Sequence, residues 1–474
     1  MTNLILGGRQ VEGEGSLKVL SPYDGSLVGE AACAGRSQAA TALEAARAAE
    51  KTVAALPRAA RARILAKVAE GLLAEKQDLA VLLAREVGKT IREAAAEVER
   101  AATTFQAAGE EAKRLAGEVV PFDAVPAGQG RRGFTVKVPV GTVVAITPFN
   151  FPLNLAAHKV APAIAAGNSV VLKPASSTPL TGLALGRRVL DAGFPPEALS
   201  VLPGPGGTLG IDLVRDPRPR MITFTGSAEV GKRIAAEAGL KRIALELGSN
   251  SAVIVAASAD LDFAASRIAM GAFALAGQVC ISVQRVVVEE AIFEDLTSRL
   301  VDLASRLQVG NPLEGGTDMG PMISERAAAG LEARIGKAVA EGAEVRLAGR
   351  RSGALFTPTV LARVPAAAEV WTEEAFGPVV CVSPYKSFAG AVDLVNRSRY
   401  GLQAGVFTAS LEEAFEAVER LEVGGVMIND VPTYRVDHMP YGGVKDSGLG
   451  REGLKYAIEE MSETKLVCFN LWRP

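Results

Sequence analysis

The chain is expected to be an α/β protein built on parallel sheets. Three observations carry that expectation. Short apolar runs alternate with helical stretches from residue 141 to about 247. The same alternation returns from Ala252 to about Asn429. The runs are uniformly apolar rather than alternating, as in strands buried on both faces.

At 474 residues, with 49% hydrophobic and 22% charged side chains, the chain can bury a large core without staples. A formal net charge of -2 gives no sign of a nucleic-acid or anionic-lipid partner. Its four cysteines, Cys33, Cys280, Cys381 and Cys468, are scattered, and only two histidines occur, His158 and His438. That spacing argues against a disulfide scaffold or a metal site. The start, Met1–Leu6, lacks the basic and apolar regions of a secretory signal. No apolar run reaches the ~18 residues of a spanning helix. A cytoplasmic, non-membrane protein is expected.

Taken in order, residues 37–119 are expected to be helical. Ile64, Leu65, Val68, Leu72, Leu79, Leu82 and Leu83 recur at helical spacing, with breaks at Pro57 and Val87-Gly88-Lys89. Residues 120–140 are punctuated by Pro121, Pro126, Gly128, Gly130 and Gly133, then alternate at Phe134–Val138, which suits a protruding strand or arm. Strands follow at 143–146, 169–172, 199–202, 221–224 and 241–245, with helices around 153–166, 180–192, 207–214 and 228–238. The second region holds a helix at 260–276, a strand at 284–288, a helix at 290–306 and strands near 378–383, 402–407 and 425–428. The tail Thr464–Phe469 suits a final strand. Parallel sheets bind ligands at the carboxyl ends of their strands, so the turns there matter most.

Cys280, in Gly277-Gln278-Val279-Cys280, stands between a helical run and a strand. A lone cysteine is usually inert packing, and that reading holds for the other three. Gly277-Gln278 suits a tight bend at a cleft and favours a nucleophile at Cys280. Glu246 at a strand end is either a surface carboxylate or a general base. Asn150, between Pro148 and Pro152, is either a turn residue or an oxyanion donor acting with the Cys280 backbone N–H. Phe224-Thr225-Gly226-Ser227 ends a strand and opens a helix whose N-terminus suits a pyrophosphate, with Pro203–Gly207 close by. No Gly-x-Gly-x-x-Gly follows a strand. A rival stands in Gly226–Lys232, which matches seven positions of a P-loop; the eighth is Arg233, where Mg²⁺ binding needs Ser or Thr.

Seven segments, in order, resemble the aldehyde dehydrogenase superfamily: Pro148–Pro152, Lys173–Ser176, Phe224–Ser227, Glu246–Gly248, Gly277–Cys280, Glu373–Pro378, and Pro440–Lys445 with Ser447-Gly448. The resemblance implies a Rossmann-like cofactor domain over 1–120 and 140–247, a catalytic domain over 248–446, and a β oligomerisation arm over 121–139 and 460–474. It implies Cys280 as nucleophile, Glu246 as general base and Asn150 as oxyanion donor. Lys173 and Glu374 would hold the cofactor riboses, Gly226 and Ser227 its pyrophosphate, and Phe376 would pack near the nicotinamide. Thr147, Pro148, Phe149, Gly206 and Leu247 would complete the cofactor site. Lys159 matches a second family lysine of less defined role.

The implied reaction is NAD- or NADP-dependent oxidation of an aldehyde through a thiohemiacetal and a thioester, in a homodimer or homotetramer. Ser176 stands where many NAD-preferring members carry glutamate, which opens the site to NADP. Ser249-Asn250 departs from the usual residues after Glu-Leu-Gly, with little consequence expected. Val279 stands where the non-phosphorylating glyceraldehyde-3-phosphate branch has arginine, and Glu246 speaks against the CoA-acylating branch. The substrate pocket is expected from Phe151, Leu155, His158, Val279, Ile281, Tyr434, Arg435 and Tyr441, with Arg435 either receiving an anionic aldehyde at the pocket mouth or lying solvated on a loop. A P-loop nucleotide hydrolase and a catalytically silent relative are the alternatives; growth of reduced-nicotinamide absorbance with an aldehyde separates the three.

Overall fold

The computed structural model describes residues 1–471. Two sheets dominate. In the first, five parallel strands run in the order Leu199–Val201, Ser169–Lys173, Thr142–Ile146, Met221–Thr225 and Arg242–Glu246. Antiparallel strands cap both edges, Leu4–Leu6 with Arg9–Val11 at one and Gly448–Leu449 at the other. Chain order reverses between Thr142–Ile146 and Met221–Thr225. That switch point opens a crevice at the carboxyl ends of the two strands.

The strands are buried on both faces because their side chains alternate between two apolar clusters. Val143, Ala145, Val170 and Leu172 join the cluster under the helices of residues 58–114. Val144, Ile146, Val171, Ile222 and Phe224 join the cluster on the other face. Each Val, Leu, Ile or Phe among them contributes roughly 1.5–3 kcal/mol when fully buried, and every residue of the central strand Thr142–Ile146 is buried. The expected helical region is four helices, Arg36–Ala54, Arg58–Ala74, Lys76–Val87 and Ile91–Arg114. Gly88 closes the third at φ +88, and Thr90 with Glu93 makes a capping box for the fourth.

The second sheet has seven strands, in the order Glu344–Leu347, Thr359–Ala362, Val379–Tyr385, Arg285–Glu289, Ala252–Val255, Gln403–Phe407 and Gly425–Ile428. All pairs are parallel except the first. The expected helix over 260–276 ends earlier, at Phe273. Leu275, Ala276 and Gly277 then turn through φ 49, 51 and 70. Left-handed backbone at two non-glycine residues is costly and marks a constrained turn.

Residues 131–139 and 462–470 pair antiparallel over their whole length, and Val119–Val120 adds a short third strand. The last three residues of the expected arm lie outside the described residues. Residues 1–36, which show no clear pattern in sequence, form short strands including the hairpin Gly15–Leu20 with Leu27–Cys33. Among the described residues no helix is long and apolar enough to cross a membrane.

Candidate active site

A cleft of about 460 Å³ opens at the switch point of the first sheet and reaches the second. Cys280, Glu246 and Asn150 all line it. So do Thr147, Pro148, Phe149, Lys173, Ser176, Gly206, Gly226, Ser227, Leu247, Glu374 and Phe376. Residues from across the chain therefore meet in one groove.

Each element delivers its residue for a local reason. Glu246 is the last residue of its strand, so its side chain emerges at the sheet edge where the crevice lies. Burial, reinforced by Glu452, pushes its carboxyl well above the usual range. Its Oε2 is buried without a hydrogen-bond partner. A carboxyl held this way can take up a proton near neutral pH.

Cys280 follows the left-handed turn at 275–277. A Cβ on Gly277 would sit 2.2 Å from the Gly377 carbonyl oxygen, so only glycine fits. Gln278 pins the turn by donating to the Leu275 carbonyl (3.1 Å) and accepting from the Ile323 N–H (2.8 Å). Glu93, from the helix Ile91–Arg114, accepts the Leu275 N–H at 2.7 Å. Cys280 is partly exposed to the cleft. Burial against Ile281, Leu402 and Tyr441 nonetheless pushes its thiol up to about 11.

Asn150 donates from Nδ2 to the Gln278 carbonyl at 2.9 Å, which ties it to the segment carrying Cys280. Its amide has a second N–H to offer. The Cys280 backbone N–H has no partner among the described residues. Lys89 and Glu97 hold the turn from beneath. Lys89 Nζ donates to the Asn150 carbonyl at 2.7 Å and pairs with Glu97, which accepts the Leu153 and Asn154 N–H groups. Nothing in the sequence marks these two as part of the site, because Glu97 lies in an alanine-rich helix and Lys89 in the break just before it.

The other end of the cleft fits a dinucleotide. Ser227 caps the helix Ala228–Glu237, accepting from the Val230 N–H, and leaves that N-terminus facing the groove. Among the described residues Lys173 Nζ donates only to the Pro174 carbonyl, and burial lowers its ammonium to about 8. Thr147 and Thr225 carry buried hydroxyls without partners in the same lining. Unsatisfied donors over apolar walls suit ribose and phosphate oxygens. Glu374 accepts the Ser249 N–H at 3.1 Å, and burial raises its carboxyl to about 7. Phe376 stands at φ 49 and meets Phe149 edge to face, with ring centroids 5.8 Å apart. Lys232 does not reach the groove. It is exposed and paired with Asp446 at 2.6 Å, which removes the P-loop reading.

The residues expected around the substrate divide. Leu155 lines the cleft. Phe151, His158, Val279, Ile281, Arg435 and Tyr441 are not in its lining; Val279, Ile281, Tyr441 and Arg435 gather around Cys280, while Phe151 and His158 lie with Arg100, Asp437 and Arg435. Tyr441 Oη lies 2.9 Å from Cys280 Sγ. Val279 and Ile281 pack with Tyr441 and Leu402. The Arg435 guanidinium stacks on the Tyr441 ring at 3.7 Å and pairs with Glu452 at 2.9 Å. It is 8% exposed, so it is neither a solvated loop arginine nor an open charge at the mouth. His158 is buried, bonded through Nε2 to Asp437 at 2.9 Å, and burial lowers its pKa. Asp437 also accepts from Arg100 and Asn154, and burial is outweighed there by the hydrogen bonds of His158 and Arg100, which hold its carboxyl well below the usual range. Phe151 lies under Lys89 and Arg100. Tyr434 is exposed. Lys159 is buried and paired with Glu452 at 3.0 Å. Glu452 and Asp437 carry no sequence signal of their own.

A doubly wound sheet with a dinucleotide-shaped groove, ending at a thiol and a carboxyl, defines the class as a nicotinamide-dependent oxidoreductase. Residues 10–467 match the model of the aldehyde dehydrogenase family. The chain is 50% identical over 411 residues, 87% of this chain and 86% of the other, to a 3-sulfolactaldehyde dehydrogenase of Priestia aryabhattai. It is similar to the crystal structure of aldehyde dehydrogenase 21 from Physcomitrella patens in complex with the reaction product succinate, with TM-score 0.96 and 42% identity over 99% of this chain and 98% of that one. It is likewise similar to glyceraldehyde-3-phosphate dehydrogenase from Methanocaldococcus jannaschii complexed with NADP, with TM-score 0.93 and 40% identity over 96% and 99%. The chain belongs to the aldehyde dehydrogenase family. It oxidises an aldehyde to the carboxylic acid with NAD or NADP.

Proposed function

We propose that Cys280 is the nucleophile, Glu246 the general base and Asn150 the oxyanion donor of this reaction, and that the substrate is a short aldehyde carrying a second, anionic group. The supporting observation is the convergence of these three side chains in the cleft that also holds the dinucleotide-fitting residues.

The steps follow from the groups present. The Cys280 thiol gives up its proton, with Glu246 as acceptor directly or through water. The sulfur lone pair then forms a C–S bond to the aldehyde carbon. The oxyanion of the thiohemiacetal is held by the free Asn150 N–H and the Cys280 backbone N–H, each worth on the order of 3 kcal/mol in the transition state. Bound NAD(P)⁺ supplies the hydride acceptor. Lys173 and Glu374 fix the ribose hydroxyls, the helix at Ser227 the pyrophosphate, and Thr147, Pro148, Phe149, Gly206, Gly226, Leu247 and Phe376 the walls. Once Glu246 has passed the thiol proton to solvent, it takes a proton from water, which attacks the thioester carbon. The C–S bond breaks, the acid is released, and the Cys280 sulfur regains its proton from Glu246.

The anionic substrate class draws on two supports. The relatives named above act on 3-sulfolactaldehyde and glyceraldehyde-3-phosphate, and one binds succinate. Close to Cys280, the Arg435 guanidinium pairs with Glu452, and among the described residues its Nε is buried without a partner, which leaves a donor for an anionic group. The paired strands 131–139 and 462–470, with Phe134, Leu466 and Phe469 exposed, suit assembly into a homodimer or homotetramer, and we assign the protein to the cytoplasm. The test is reduced-nicotinamide absorbance with a panel of neutral and acid-bearing aldehydes, for wild type and Cys280→Ala. Activity retained by Cys280→Ala sinks the assignment.

A further inference from the structure

A thiol with a pKa near 11 is about one part in 10⁴ ionised at pH 7, too little for a nucleophile left alone. Burial is the cause. Against it act first the hydrogen bond from Tyr441 and then the charge of Arg435, while Glu374 and Glu246 act the other way. The Tyr441 contact is direct, at 2.9 Å from oxygen to sulfur.

Tyr441 is fixed at every end. Its backbone exchanges both hydrogen bonds with Glu452, N–H to carbonyl at 3.0 Å and the return at 2.6 Å. Its ring is buried against Ile281 and Leu402 on one side, and the Arg435 guanidinium lies 3.7 Å from its centroid. Glu452 completes the clamp, binding Arg435 at 2.9 Å and Lys159 at 3.0 Å through its two oxygens. The phenol holds its own proton, since burial and the neighbouring Cys280 raise its pKa well above 10. It is therefore a donor that stays protonated when the sulfur ionises.

We propose that Tyr441 is a catalytic residue whose O–H donates to the Cys280 thiolate, holding the sulfur ionised and aimed, with Arg435 on the ring as its positioning residue. This rests on the reading of Cys280 as nucleophile. No proton leaves Tyr441. The thiol proton goes to Glu246 or to water, and the Tyr441 hydrogen bond to sulfur weakens as the sulfur lone pair becomes the C–S bond. The charged and titratable groups around the sulfur are Tyr441 and Arg435 from the 431–441 loop, Glu246 from its strand and Glu374 from the loop before Val379.

The experiment is peptide-resolved alkylation of Cys280 by iodoacetamide in cofactor-free protein from pH 6 to 11. Cys33 and Cys468 are also accessible, so mass spectrometry must isolate the Cys280 peptide. Tyr441→Phe keeps the ring and removes one oxygen. Its alkylation rate at pH 7.5 is expected to fall about 10- to 100-fold. Replacement of Tyr441 by 3-fluorotyrosine, a stronger donor, is expected to raise the rate at the same pH, and keeps the test alive if the Phe variant does not fold. Wild-type rates in the folded variants overturn the proposal. That outcome is separable from failure of the nucleophile assignment, which shows as aldehyde oxidation surviving Cys280→Ala.

Discussion

Gly248 and Glu374 stand so close that a Cβ on the glycine would lie 2.3 Å from the glutamate Oε2. One residue follows the last parallel strand of the first sheet, the other precedes a strand of the second. Their contact closes the groove where the two sheets meet. Gly248→Ala is expected to fold, because a carboxylate can swing aside, but to move Glu374 off the cofactor ribose. The expected result is a roughly 10-fold rise in KM for NAD(P), with little change in Tm. Isothermal titration with the cofactor checks it.

Glu246→Gln separates the two halves of the reaction. With acyl transfer to water slowed, a burst of about one reduced cofactor per site is expected, followed by turnover at least 100-fold below wild type. Stopped-flow absorbance reads both phases. Loss of the burst would place Glu246 earlier, at the ionisation of Cys280.

Arg435→Met tests the anionic substrate class. It removes the buried, unpartnered Nε while leaving Glu452 its partner Lys159. KM for carboxylated, sulfonated or phosphorylated aldehydes is expected to rise about 10- to 100-fold relative to a neutral aldehyde of the same length. An unchanged ratio in steady-state kinetics would exclude the arginine as the anion receptor.

Ser176 donates to the Gly204 carbonyl at 2.9 Å at the cofactor end of the cleft, without a negative charge. Ser176→Glu is expected to shift the cofactor ratio toward NAD by about 10-fold or more, by repelling a 2′-phosphate. Paired kcat/KM measurements with NAD and NADP decide it.

Glu86 is buried beneath the helix Pro179–Asp191, accepting from the Leu180 and Thr181 N–H groups, and burial raises its carboxyl to about 7. A raised carboxyl binds its proton more tightly in the folded state than in the unfolded one. Its stabilising contribution is thus full below about 4.5 and is lost as pH rises to about 7. Glu86→Gln is expected to flatten the fall in Tm across that window. Thermal unfolding at pH 5, 6, 7 and 8 measures the slope.

The parallel sheets were legible because each strand is a short run such as Val143–Ile146, buried on both faces, and each turn at its end carries distinctive residues. For Glu246 and Asn150 the local segments left two readings open, and the resemblance of those segments to a known family singled them out together with Cys280; the three line one cleft. The helix before Cys280 was read three residues too long, since apolar periodicity continues through Ala276 while the backbone has already turned left-handed. Which groups surround the sulfur was decided only by tertiary structure. Tyr441 lies 161 residues from Cys280 and Asp437 279 from His158. Lys89 and Glu97 come under Asn150 from a helix and the break before it, in a region that reads as plain scaffold. Periodicity and turn chemistry are properties of neighbours in sequence, whereas buried charges must find partners wherever packing brings them, and that pairing exists only once both sheets are assembled.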